Sequence, residues 1–112
     1  MFLDFEGHPF WRADRGLFFL LGLIERDPSG TWVYRTWWAH SVEEEAAAAG
    51  KLIDYLVDRR TPYPGMHVYH YNHTERSSLE RLAVEHGTGE AALAGLVETG
   101  AFVDLLLAAR NA

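Results

Sequence analysis

No cysteine occurs in the 112 residues. Disulfides and thiolate metal sites are thereby excluded, and a reducing, cytoplasmic compartment fits. No apolar run approaches the roughly 20 residues that a membrane span needs, so no membrane partner is expected. The opening "MFLDFEG" has neither a basic stretch nor a small-residue cleavage site, and no signal peptide is expected there. Low-complexity tracts, internal repeats and linkers are also missing. Basic residues are in short supply: 10 Lys and Arg stand against 16 Asp and Glu, for a net charge of −6. A protein that coats nucleic acid by electrostatics alone should be basic, so the balance argues against that class. It does not argue against a nuclease built from acids, because bound divalent cations reverse the local charge.

What the chain has is apolar and aromatic. Hydrophobic residues make up 48%, with four Trp, five Tyr and six Phe, which is the composition of a folded core. The length suits one domain over 1–112. "MFLDFEG" reads as a strand, and so does the Gly-punctuated "GLFFLLGLIER" (16–26). "RDPSGT" (26–31) is a turn, since Pro presets one backbone angle and Gly tolerates the other. The β-branched and aromatic "TWVYRTWWAH" (31–40) is a third strand, forming a hairpin with the second. Core packing is the expected task of most of Trp32, Tyr34, Trp37 and Trp38.

Residues 41–60 form the clearest helix. Ser41 and Glu44 fit a capping box, acids fill the first turn, and Arg59 and Arg60 fill the last. Ala49, Leu52, Ile53, Leu56 and Val57 make one apolar stripe. "TPYPG" (61–65) breaks the chain before a fourth strand, "MHVYHY" (66–71). Helices are expected over 75–87, with Leu79, Leu82 and Ala83 inward and Gly87 as the stop, and over 88–100. "FVDLLLAARNA" (102–112) should start a further helix capped by Asp104. The order βββαβαα, with the chain ending soon after, predicts an α/β fold. Three strands start it in antiparallel fashion, a crossover helix leads to a parallel strand, and helices pack on the sheet.

Asp4 and Glu6 raise the sharpest question. Strand side chains alternate, so the two share a face with Cα atoms about 6.5–7 Å apart. Two anions held that close inside a domain repel, and a hard divalent cation resolves the conflict. The same pattern also suits a strand end that simply faces water. Glu75, at the junction of the fourth strand and the next helix, could bring a third carboxylate to the strands' C-terminal end. Alternatively, Asn72 and Glu75 have capping-box spacing, and Glu75 only caps its helix. His70 and His73 are candidates for substrate contact or proton transfer. A zinc site from the histidines is disfavoured, because His67 and His70 fall on opposite strand faces.

Taken in order, "FLDFEG", "HVYHYNHTERSSLERL" and "GAFVDLLLAAR" resemble the RNase H-like, DEDD-type exonuclease domain of bacterial RecB-like nucleases that also carry a helicase. The resemblance implies a nuclease centre that binds Mg²⁺ or Mn²⁺. Asp4 and Glu6 match its first acidic motif, and Glu75 matches the acid of its second, after Asn72. Asp104 matches an acidic position used structurally or near substrate. The implied reaction is two-metal hydrolysis of DNA or RNA, single-stranded and 3′–5′ exonucleolytic, in a DNA-repair setting beside a helicase domain of the same parent chain. The family's final acidic motif should follow a further helix and strand beyond "FVDLL", so the C-terminal part is expected to be truncated. Two other readings stand beside this one: a non-catalytic RNase H-like docking module, and a domain that forms a homo-oligomer through an exposed edge.

Overall fold

The computed structural model describes residues 1–12, 15–71 and 74–106, with the backbone alone at 8–12, 15 and 74. Five strands and three helices follow in the order β1 (Phe2–Arg12), β2 (Arg15–Arg26), β3 (Trp32–Trp38), α1 (Val42–Arg60), β4 (Val68–His70), α2 (Thr74–His86), α3 (Glu90–Glu98) and β5 (Phe102–Asp104). They make one mixed sheet in the order β3-β2-β1-β4-β5. β1 lies at its centre, antiparallel to β2 and parallel to β4, and β5 adds parallel to β4. The fold is α/β, with the expected antiparallel start and helical crossover.

The turn between β2 and β3 is built by Asp27. Its Oδ1 accepts the N–H groups of Ser29 and Thr31 at 2.9 and 3.0 Å, and Gly30 takes a φ of +83° that glycine tolerates best. These bonds, the Ser29 hydroxyl foremost, hold the Asp27 carboxyl below its ordinary range. α1 starts as its capping box predicts: Ser41 Oγ accepts the Glu44 N–H at 3.2 Å. Gly87, at φ +60°, follows the end of α2.

One apolar core holds the layers together. Leu3, Leu21, Leu23 and Val68 meet Leu52, Ile53 and Leu56 of α1, Leu79 and Leu82 of α2, and Leu93 and Leu96 of α3. Each fully buried aliphatic chain contributes about 1.5–3 kcal/mol. The pairs Leu3–Leu23 and Phe5–Leu21 place this core on one face of the sheet. Phe2, Asp4 and Glu6 therefore project from the other. None of the described helices is long and apolar enough to cross a membrane.

Two expectations need correction. Residues 102–104 are a strand, not the start of a helix, because β4 offers them a parallel partner. Asp104 still acts as a cap, its Oδ1 accepting the Leu106 N–H at 2.9 Å. Among the β3 aromatics only Trp37 packs against the core; Trp32, Tyr34 and Trp38 are 53%, 50% and 56% exposed. Strand parity puts these three on the face opposite the helices.

Gly22 is what lets Tyr34 lie across the sheet. A Cβ there would stand 2.5 Å from the Tyr34 hydroxyl and 2.7 Å from the Asp4 carbonyl oxygen. Gly22→Ala should cost about 1–3 kcal/mol in urea unfolding. Adding Tyr34→Ala should recover only part of that, since the β1 backbone still obstructs the methyl. Full recovery in the double variant would show that the ring is the sole obstacle.

Candidate functional site

Asp4 and Glu6 stand on the exposed face of the central strand, opposite Gly22 and Leu20 of β2. The register shifts between Glu6 and Gly7, so their face relation is set before the irregularity. Tyr34 reports their proximity. Its hydroxyl titrates above the ordinary tyrosine range, first because it is partly desolvated, then because the Asp4 and Glu6 carboxylates oppose a third negative charge. Aromatic rings border the pair: Phe2 lies 6.2 Å from Trp32 and 5.3 Å from Tyr69 between ring centroids, and the Arg26 guanidinium sits 4.7 Å over Trp32.

Glu75 lies in the first turn of α2, the helix that follows β4. Its Oε2 is buried and has no hydrogen-bond partner among the described residues. A buried carboxylate oxygen in that state is costly unless a cation or water meets it, so the donor chemistry suits a hard divalent ion. Asn72 and His73 lie outside the described residues. His70 is buried against the Phe102 ring, and it pairs in register with Asp104. The parity of the β1–β4 register sets His70 and Asp104 on the helix side, away from Asp4 and Glu6. His70 is thus a packed residue and not an exposed substrate contact.

The described residues contain one set of three or more acids and histidines whose ligand atoms lie within 4.8 Å of one another, and it is Glu45, Glu85 and His86. Asp4, Glu6 and Glu75 are not gathered so tightly. Glu45 is only 1% exposed; its Oε2 accepts the Phe18 N–H at 2.8 Å and its Oε1 lies 3.0 Å from His86 Nε2. A signal for this set is present in the sequence. Glu45 falls four residues before Ala49 on the α1 stripe, and His86 falls four after Leu82 on that of α2. A titratable residue on an apolar stripe is one that the fold must satisfy.

Glu25 is the other buried acid among the described residues, sharing the Leu21–Leu23 side of β2 and 2% exposed. Arg35 Nε donates to its Oε1 at 3.0 Å, the Tyr55 hydroxyl donates to the same oxygen, and Arg59 Nε lies 3.7 Å from Oε2. Burial and then the bond to Glu25 push the Tyr55 hydroxyl above its ordinary range. Comparisons with protein-family models, with curated proteins and with solved structures give no match.

Removing either strand carboxylate should lower the Tyr34 pKa toward the ordinary tyrosine value while leaving the desolvation part in place. Ultraviolet titration of Asp4→Asn and Glu6→Gln, with Tyr34→Phe to identify the signal, measures this. An unchanged Tyr34 in both variants would place the carboxylates away from the hydroxyl.

Proposed function

We propose that the chain is an RNase H-like nuclease domain that hydrolyses nucleic-acid phosphodiester bonds with Mg²⁺ or Mn²⁺. The observation that carries this reading is the adjacent, solvent-facing pair Asp4 and Glu6 on the central strand. Glu75 lies in the first turn of the helix that follows β1's parallel neighbour, and its buried Oε2 has no hydrogen-bond partner among the described residues. Asp4 and Glu6 would hold the ions on the open face of the sheet; Glu75, the third acid expected there, starts α2 on the helix-bearing face and is not gathered with them. Bound ions of this kind activate water and stabilise the leaving oxygen.

The remaining residues shape substrate choice. Phe2, Trp32 and Tyr34 offer rings on which bases can stack without regard to sequence, which suits a single strand. Phosphate recognition then falls to the cations rather than to a basic groove, in keeping with the net charge of −6. The 3′–5′ direction, a role in DNA repair and a helicase domain in the same parent protein belong to this proposal through the resemblance. One observation favours a second reading, a non-catalytic docking module on the same fold: the three acids are not drawn together within 4.8 Å.

Mn²⁺ titration with a labelled single-stranded oligonucleotide separates the two. The nuclease reading expects saturable metal binding, a fall in the Tyr34 pKa as the carboxylates are neutralised, and strand cleavage. Asp4→Ala or Glu6→Ala should reduce cleavage on the order of a hundredfold or more. Oligonucleotide binding without Mn²⁺-dependent cleavage, unchanged in both variants, would establish the docking module instead.

A further inference from the structure

We propose that Glu45, Glu85 and His86 form a separate site for a zinc-class divalent ion, joining the first turn of α1 to the last turn of α2. None of these residues belongs to the β1 face, and the site stands whether or not that face is a nuclease. The donor set mixes two carboxylates with an imidazole, and the three ligand atoms lie within 4.8 Å of one another. Glu45 Oε1 and His86 Nε2 are 3.0 Å apart, close to the roughly 3.3 Å between neighbouring ligands of a tetrahedral ion with bonds of about 2.0–2.1 Å. An ion would replace that hydrogen bond with two coordination bonds and need little movement of either side chain.

Groups that would steady these ligands are already in place. The Phe18 N–H holds Glu45 Oε2 at 2.8 Å and so orients the other oxygen toward His86. Arg81 Nη1 holds Glu85 Oε2 at 3.3 Å. Glu45 is buried, His86 half-buried and Glu85 exposed, so a water could complete the coordination from the solvent side. Glu85 and His86 also close α2, at the end where the helix dipole favours a cation. Imidazole in the set and only three protein donors select Zn²⁺ and its d-block neighbours over Mg²⁺ or Ca²⁺. The ion would fasten the end of α2 against α1 and β2.

The test uses the Asp4→Ala/Glu6→Ala chain, in which the β1 site is disabled, and titrates it with Zn²⁺ by calorimetry and with Co²⁺ by visible absorption. One equivalent should bind, Co²⁺ should show the intense bands of tetrahedral N/O coordination, and the melting temperature should rise with Zn²⁺. Glu85→Gln, at a partly exposed position that leaves the core intact, should weaken binding more than tenfold, and His86→Gln should abolish it. No binding of either metal, or binding unchanged in both variants while circular dichroism shows them folded, would overturn the site. Either failure leaves the nuclease reading to its own Mn²⁺-dependent cleavage.

Discussion

The alternation of side chains along β1 organises this molecule. Leu3 and Phe5 turn to the helices, and Phe2, Asp4 and Glu6 turn away. Because β1 is the middle of five strands, its parity is transmitted by register to both sides of the sheet. A slip of one residue would drive Asp4 and Glu6 into contact with Leu52 and Ile53 and leave Leu3 in water. The cost of burying two unpaired carboxylates forbids that alternative, so the acids help to define the register that displays them. A strand that looks core-bound can therefore carry two charges: only one of its faces is in the core.

Buried acids also clamp β2 at its two ends. Near the start, Glu45 reaches from α1 to the Phe18 N–H and to His86 of α2. Near the end, Glu25 gathers Arg35 from β3 with Tyr55 and Arg59 from α1. Such groups add little net stability compared with apolar packing, but leaving any of them unpaired is expensive. They act as alignment devices: the hairpin and the helices must dock in one relative position for each carboxylate to find its donors.

The open face and the helix face thus separate two kinds of chemistry. Asp4 and Glu6 face solvent beside aromatic rings, where a charged, polymeric ligand can reach them. Glu45 and His86 meet where α1, α2 and β2 come together, with Glu85 at the exposed edge. The hard, all-oxygen set and the mixed nitrogen–oxygen set would select different metals, so the two proposals are chemically as well as spatially distinct.

Local chemistry was legible in the sequence. The Ser41 cap, the α1 stripe, the turn over Asp27–Gly30 and the stop at Gly87 each depend on residues a few positions apart, and each appears where its pattern implies. The shared face of Asp4 and Glu6 follows from the period of a strand in the same way. The side on which that face lies was not legible, nor were the exposure of Trp32, Tyr34 and Trp38, the pairing of residues 102–104 into β5, and the meeting of Glu45 with His86. Each of these depends on a partner distant in the chain: a strand exists only where a neighbour accepts its hydrogen bonds, and an aromatic residue is buried only where a helix covers it. Spacing along the sequence carries no record of such partners until the chain has folded.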